Sequence, residues 1–134
     1  MAKTYLRPSN LYPTFGYSHA VIVEGPGKHI VFAGQVPFDM ENRVIGEDDF
    51  EAQAIAVFEN LGRALEAAGA TYADLTKLVY YVVDFEEPLR TPLAAIRDRY
   101  LSASNPPASV LVGVSALAVP GVRIEIEATA FIDH

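Results

Sequence analysis

Cysteine is missing from this 134-residue chain, and histidine occurs only three times. Without cysteine the chain has no disulfide, no thiol nucleophile and no cysteine-ligated metal. The three histidines, His19, His29 and His134, lack the i, i+4 spacing with which a helix presents two zinc ligands. The composition therefore predicts a protein without a metal site.

Positive charge is also scarce. Ten lysines and arginines stand against 17 aspartates and glutamates, which gives a formal net charge of −7, and the basic residues are scattered along the chain. A negative net charge without a basic cluster repels a phosphate backbone. We therefore expect nucleic acid to be a poor partner for this protein.

Long apolar runs are absent as well, and no run approaches the roughly 20 residues that span a bilayer. Residues 1–20 contain no apolar segment of the kind found in export signals. Hydrophobic residues make up 51% of the chain and charged residues 20%, a balance that excludes disorder. A chain of this length buries about two thirds of its unfolded surface in one core. We expect a single domain over residues 1–134, without a membrane partner, in the cytoplasm.

Hydrophobic periodicity predicts elements in the order ββαβαββ. Strands are expected at about 17–23, 29–36, 75–83, 105–114 and 122–130, and helices at about 49–68 and 92–101. A turn containing glycine and proline at 24–28 predicts that the first two strands form an antiparallel hairpin. Residues 1–16 suit an irregular arm. Because each helix lies between strands, both should cover one face of a single mixed sheet.

Local signals predict where the helices begin and end. Asp48 or Asp49 is expected to cap the first helix, and Gly69 to stop it. Thr91 followed by Pro92 predicts the start of the second helix. On the first helix one apolar stripe should face the core while the opposite face is solvated. The stripe comprises Ala54, Phe58, Leu61, Leu65 and Ala68, and the solvated face comprises Gln53, Glu59, Arg63 and Glu66.

The last strand alternates between apolar and polar residues. Ile124, Ile126 and Ala128 should point to the core, because successive strand side chains face opposite sides. The other face carries the remaining residues of the run, Arg123, Glu125, Glu127 and Thr129. Its two carboxylates are about 7 Å apart along the strand. Two helices cover only one side of such a sheet, so we expect its second face to pack in an oligomer.

Five groups of residues stand in a characteristic order along the chain. They are Tyr17-Ser18-His19-Ala20, Ala33-Gly34-Gln35-Val36-Pro37, Gln53 with Glu59-Asn60-Leu61 and Ala67-Ala68-Gly69-Ala70, Pro107-Ala108-Ser109 with Val114, and Ile124-Glu125-Ile126-Glu127-Ala128. In this order they resemble the Rid/YjgF family of reactive-intermediate deaminases, over nearly the whole chain. The resemblance implies a chorismate-mutase-like α+β fold, assembled as a homotrimer with three clefts between subunits.

The resemblance also implies an activity. The best-known members hydrolyse enamines and imines at those clefts, releasing ammonia and a 2-keto acid, without a cofactor or a metal. Tyr17 matches the family's tyrosine near the first strand, Gly34 matches its glycine, and Glu125 matches its water-orienting glutamate. A small-molecule substrate is therefore the expected partner, with Tyr17 and Glu125 in catalysis and Gly34 in substrate binding.

Two positions depart from the family pattern. Ser109 stands where active deaminases carry an arginine in a Pro-Ala-Arg-Ser motif, and Ala94 aligns with an asparagine. That arginine is a bidentate clamp for the substrate carboxylate, and a serine hydroxyl cannot replace its planar fork. Losing a charged hydrogen bond costs roughly 1.5–3 kcal/mol. We therefore expect a substrate other than a simple 2-imino acid, with Arg123 either compensating in substrate binding or forming a cross-strand ion pair.

Plainer interpretations of the same residues stay open. Glu125 can instead be a surface glutamate, and Tyr17 a half-buried strand aromatic. Ser109 lacks the neighbours of a nucleophilic serine, which leaves it a role in ligand binding. For the protein as a whole, the alternative to an enzyme is a non-catalytic trimer that binds or senses a small molecule. Ribonuclease activity, suggested by older names of the family, is disfavoured by the charge of −7.

Overall fold

A computed structural model of the protein describes residues 2–134 and contains six strands and two α-helices in that range. They are β1 (Lys3–Leu6), β2 (Ala20–Val23), β3 (Lys28–Gln35), α1 (Phe50–Ala67), β4 (Leu75–Val83), α2 (Arg90–Arg97), β5 (Ala108–Val114) and β6 (Ile124–Ile132). The predicted combination of two helices with a mixed sheet is confirmed. The irregular arm predicted at residues 1–16 is wrong in part, since it contains β1, which pairs along its whole length with β2.

The strands form two sheets instead of the predicted one. The main sheet has the order β3-β6-β4-β5, with β6 antiparallel to both its neighbours and β5 parallel to β4. The small sheet consists of β1 and β2. The predicted hairpin between β2 and β3 is therefore wrong. The turn at 24–28 changes the direction of the chain, but strands pair where their apolar faces can pack together. β3 therefore pairs with β6, where Ala128 lies opposite Phe32.

Both helices pack on one face of the main sheet, as predicted. Asp49 caps α1 by accepting a hydrogen bond from the N–H of Ala52 at 3.0 Å, and Gly69 follows its end with φ of 75°. The core lies between these helices and the two central strands. It includes Ala54, Val57, Phe58, Leu61, Leu65, Leu93 and Ile96 from the helices and Leu78, Tyr80, Val82, Ile124, Ile126 and Ala128 from the sheet. The predicted alternation of β6 is thereby confirmed.

Gln53 is buried, although it was expected on the solvated face of α1. Its Nε2 donates to the carbonyls of Gly46 at 3.2 Å and Gly121 at 2.7 Å, and its Oε1 accepts from the backbone N–H of Arg123 at 2.7 Å. A buried amide is stable when its donors and acceptor are all bonded. Gln53 therefore ties two loops to α1, a role that helical periodicity alone does not reveal.

The second helix begins at Arg90, two residues before the predicted start. A 3₁₀ turn at Glu87–Leu89 already sets the helical path, so Thr91 lies inside the helix and is not its cap. Pro92 is tolerated at the third position because the first N–H groups of a helix have no partner within it. Among residues 2–134, neither helix combines the length and apolar character needed to cross a membrane.

Within residues 2–134, no helix or strand covers the second face of the main sheet. It carries Val31 on β3 and Val110 and Val112 on β5, with exposed fractions of 75%, 46% and 37%. β5 is also an edge strand, and beyond the bridge between Ser18 and Ala108 no strand of residues 2–134 pairs with its outer side. Apolar side chains on an open face next to a free strand edge are typical of a contact surface.

Candidate functional site

Tyr17 is brought to the start of β5 by its neighbour Ser18. Ser18 is buried, its N–H donates to the carbonyl of Pro107 at 3.1 Å, and its hydroxyl donates to the carbonyl of Pro106 at 2.8 Å. These two bonds dock the N-terminal arm onto the main sheet. Tyr17 and Ser109, which are far apart in sequence, consequently line one cavity.

This cavity has a volume of about 640 Å³ and lies between β5, α2 and the N-terminal arm. Only two of its lining residues carry charge, and both are arginines of α2, Arg90 and Arg97. We call it the arginine cavity. Burial raises the pKa of Tyr80, another lining residue, so its phenol is neutral at physiological pH. The cavity thus combines apolar walls with the guanidinium groups of two arginines, which pair with Glu87 at 3.3 Å and with Asp98 at 3.0 Å.

Gly34 and Glu125 meet at a second cavity, of about 270 Å³. The register of β3 on β6 shifts between Phe32 and Gln35, and this bulge places Gly34 against the Glu125 side chain. A Cβ atom at Gly34 would lie 2.8 Å from the carboxyl carbon of Glu125 and closer still to its Oε2. Only glycine at position 34 therefore leaves enough room for the Glu125 carboxylate. We call this the glutamate cavity; its other lining residues are Tyr81, Leu117 and Glu127.

The glutamate cavity holds two carboxylates of like charge. Burial, and after it the charge of Glu127, raises the pKa of Glu125 above its ordinary value. The Tyr81 hydroxyl donates a hydrogen bond to Oε1 of Glu127, and this bond is the main reason why the pKa of Tyr81 is raised. Tyr81 thus holds Glu127 in place while Glu125 faces the cavity. A carboxylate with a raised pKa in a cavity has the properties of a general base.

The two cavities lie on opposite faces of the main sheet. Ser109 is the register partner of Leu78, whose side chain is buried under the helices. Glu125 is the register partner of Tyr81, and partners in register point to the same side of a sheet. Leu78 and Tyr81 are separated by an odd number of positions on β4, so their side chains point to opposite sides. The sheet therefore separates the arginine cavity from the glutamate cavity within one protomer.

Arg123 lines neither cavity in the protomer. Its Nη2 donates to the carbonyl of Val83 at 3.1 Å, and its guanidinium carbon lies 5.7 Å from the centre of the Phe50 ring on α1. The contact with Val83 fastens the start of β6 to β4, and the contact with Phe50 and the bond from the Arg123 N–H to Gln53 fasten it to α1. Its part in substrate binding stays a prediction.

Sequence reasoning missed Arg90, Arg97 and Tyr81 as cavity residues. A signal for the arginines was present, because positions seven apart share one face of a helix, and Leu93 and Ala94 lie on that same face. No local signal marks Tyr81, since its approach to the glutamates depends on the register between β4 and β6. Among residues 2–134, no three histidine or acidic side chains are grouped so as to hold a metal ion.

The fold and the cavities define a class of protein: a small α+β domain in which two helices back a mixed sheet and a cavity opens on each face of that sheet. A family model described as Endoribonuclease L-PSP matches residues 8–132. The chain therefore belongs to this family, to which the Rid and YjgF proteins also belong. The family predicted from the five groups of residues is confirmed.

Individual relatives agree with this assignment. A RutC family protein of Pyrococcus abyssi is 36% identical over 119 residues, which are 89% of this chain and 88% of that protein. A human protein named 2-iminobutanoate/2-iminopropanoate deaminase is 31% identical over 114 residues, or 85% and 78% of the two chains. The crystal structure of the Rid family protein YyfB from Yersinia pestis, described as of unknown function, superposes with a TM-score of 0.88 at 36% identity, covering 98% of this chain and 100% of that one.

Proposed function

We propose that the protein forms a homotrimer and hydrolyses an enamine or imine of a small metabolite at clefts between its subunits. The observation that carries this proposal is the separation of the two cavities by the sheet, because one protomer cannot bring Glu125 to a ligand held beside Tyr17 and Ser109. A second copy that turns its open sheet face towards the β5 edge of the first sets one glutamate cavity against one arginine cavity. Three such head-to-tail contacts close a ring.

The uncovered sheet face supports an assembly of this kind. Val31, Val110 and Val112 expose apolar surface there, next to the free edge of β5. Removing such surface from water is favourable by about 25 cal/mol per Å². The same contact that encloses the cleft therefore also contributes to the stability of the assembly.

In the proposed reaction, Glu125 accepts a proton from a water molecule whose oxygen bonds to the imine carbon, while the imine nitrogen takes up a proton from solvent. The C–N bond of the resulting carbinolamine then breaks. As it breaks, Glu125 returns its proton to the leaving nitrogen, which departs as ammonia. The hydroxyl group of the carbinolamine loses its proton to solvent, which gives back the proton taken up in the first step, and the carbon keeps the oxygen as a carbonyl group. A raised pKa of Glu125 suits this double role, since the carboxyl group must both take and give a proton.

The other residues act on the substrate. We assign the backbone at Gly34 to substrate binding, because its missing side chain leaves the main chain open beside Glu125. Tyr17 shapes the cleft and offers its hydroxyl as a donor, and Ser109 offers its hydroxyl to a polar group of the ligand. With serine in the place of the clamp arginine, the substrate is proposed to differ from the 2-imino acids named for the human relative.

A non-catalytic trimer that binds a small molecule is the second candidate, and the serine at position 109 favours it. Here the cleft persists and the ligand is held without turnover. The description of the family model names an endoribonuclease, but the net charge of −7 disfavours RNA as the substrate of this chain.

Ammonia release from imines that an amino-acid oxidase generates in the cuvette tests the proposal. With imines larger than the simple 2-imino acids, the wild type should accelerate release over the spontaneous rate, and Glu125→Ala should lose about 10²–10⁴-fold of that rate, the usual contribution of a general base. Ser109→Arg should improve turnover of simple 2-imino acids. Glu66→Ala, an exposed carboxylate on α1, is the matched control and should be unchanged.

Two results would contradict the proposal. Full activity in Glu125→Ala would remove that residue from the mechanism. If the protein binds keto acids but accelerates imine hydrolysis neither as the wild type nor as Ser109→Arg, the result would favour the non-catalytic trimer.

A further inference from the structure

We propose that Arg97 of α2, assisted by Arg90, takes over the anchoring of the substrate anion from the missing arginine of β5, and that the ligand is a carboxylate with a bulky apolar or aromatic body. This inference rests on the proposed function only in placing the substrate in the arginine cavity. It names a residue from a different element and a narrower ligand class.

The charge of the cavity is the first reason. The chain has a net charge of −7, yet the charged residues that line this cavity are two arginines and no carboxylate. A cavity with positive charges and low-dielectric walls concentrates anions. The binding step is thus selective for negative ligands in a protein whose overall charge repels them.

The geometry of Arg97 is the second reason. Its side chain is only 21% exposed, and its Nε and Nη2 both lie 3.0 Å from Oδ1 of Asp98. The guanidinium also packs directly on the backbone of Gly16, where a side chain would collide with it. Both contacts fix the orientation of the group before a ligand arrives, and a preoriented fork loses less entropy when it binds a carboxylate.

Arg90 supports Arg97 from the mouth of the cavity. The two are seven positions apart and lie on the same face of α2, separated by Leu93 and the small side chain of Ala94. Arg90 is 67% exposed and pairs with Glu87 at 3.3 Å. An exposed arginine attracts an approaching anion but holds a bound one weakly, so Arg90 contributes less than Arg97 to the affinity for the anion.

The walls of the cavity specify the rest of the ligand. Phe15, Phe85, Leu93 and Leu111 line it together with Tyr17. Its volume of about 640 Å³ lies in the range of sites for drug-sized ligands and leaves a three- or four-carbon acid mostly surrounded by water. An aromatic or branched body fills this space and removes apolar surface from solvent.

Equilibrium binding of phenylpyruvate, measured by calorimetry on the intact protein, tests the inference. Arg97→Ala should weaken binding about 10- to 100-fold, as expected for the loss of a charge-assisted hydrogen-bond pair, and Arg97→Lys should restore part of it. Arg90→Ala, whose exposed side chain is not needed for folding, should weaken binding about two- to five-fold. Arg99→Ala, an exposed arginine just beyond α2 that does not line the cavity, is the matched control and should bind as the wild type does.

Three further ligands identify the chemistry. Phenylacetone, which lacks the carboxylate, and pyruvate, which lacks the ring, should each bind at least about tenfold more weakly than phenylpyruvate. Orthophosphate should not compete at equal concentration. Unchanged affinity in both Arg97→Ala and Arg90→Ala, equal affinity for phenylacetone, or no binding by the wild type would overturn the inference.

The outcome is separable from that of the proposed function. Phenylpyruvate binding is measured without turnover and reports on the arginines, whereas ammonia release reports on the proposed hydrolysis. If the arginine variants lose binding while the wild type shows no imine hydrolysis, the anion anchor stands and the catalytic proposal falls.

Discussion

Replacing Gly34 by alanine is the most discriminating perturbation of the glutamate cavity. The new Cβ would lie 2.8 Å from the carboxyl carbon of Glu125, about 0.6 Å short of the 3.4 Å at which ordinary van der Waals contact begins, and the overlap with Oε2 is larger. The backbone offers no other obstacle, because the φ of Gly34 is not in the left-handed region. The Glu125 carboxylate is the movable partner and must swing away.

Stability and activity should therefore separate in Gly34→Ala. The displaced atoms are the end of a flexible side chain, and alanine is favoured over glycine in a strand by about 0.5–1 kcal/mol, so the unfolding free energy should stay within about 1 kcal/mol of the wild type. A catalytic group misplaced by about 1 Å costs about 10²-fold in rate, or roughly 2.7 kcal/mol in the barrier.

Ammonia release gives the rate, and a urea titration gives the unfolding free energy. Ala33→Ser is the control, since Ala33 is the exposed neighbour in the same bulge and does not line the glutamate cavity. A Gly34→Ala variant with wild-type turnover would refute the idea that the position of the Glu125 carboxylate matters.

Three other outcomes follow from the same contacts. Glu127→Gln removes a negative charge that raises the pKa of Glu125, so the acidic limb of the kcat/KM profile should move to lower pH; an unmoved limb would show that another group sets it. A raised carboxyl pKa means that the fold loses stability as pH rises through that pKa, so Glu125→Gln should unfold at a higher temperature than the wild type at pH 7 and show no such difference near pH 4. Gln53→Leu leaves the carbonyl of Gly121 and the N–H of Arg123 without partners, which should lower the urea unfolding free energy by about 2–5 kcal/mol, and a loss below about 1 kcal/mol would contradict that role.

Elements that depend on local patterns were predictable from the sequence. The predicted strand at 75–83 is β4 (Leu75–Val83), and the helix capped by Asp49 and stopped by Gly69 is α1. For both elements, the periodicity and the boundary residues within one stretch of chain determine where the element lies.

Features that depend on a distant partner were not predictable. β1 forms because β2 offers it an edge, and neither the prolines nor the aromatics of residues 1–16 show this. Gln53 is buried because Gly121 and Arg123, 68 and 70 positions further on, bring polar groups to it. A helical pattern reports which side of a helix is polar, but it does not report what covers that side.

The candidate site also combines residues that the sequence indicates with a spatial arrangement that it does not. The resemblance located Tyr17, Gly34, Ser109 and Glu125, but their distribution over opposite faces follows from the register of β4 with its two neighbours. The family pattern does not indicate Arg97, because it places the clamp arginine at position 109 on β5, whereas the arginines of this cavity lie on α2.

Subunit complementation tests the central claim that each cleft joins the glutamate cavity of one subunit to the arginine cavity of the next. Glu125→Gln spoils the first cavity, and Ser109→Glu spoils the second by placing a carboxylate beside its arginines. Each variant alone should be inactive. When the two are unfolded together in equal amounts and refolded, random assembly should produce one intact cleft in about four, and therefore about a quarter of the wild-type rate of ammonia release. A mixture no more active than the separate variants would contradict the account.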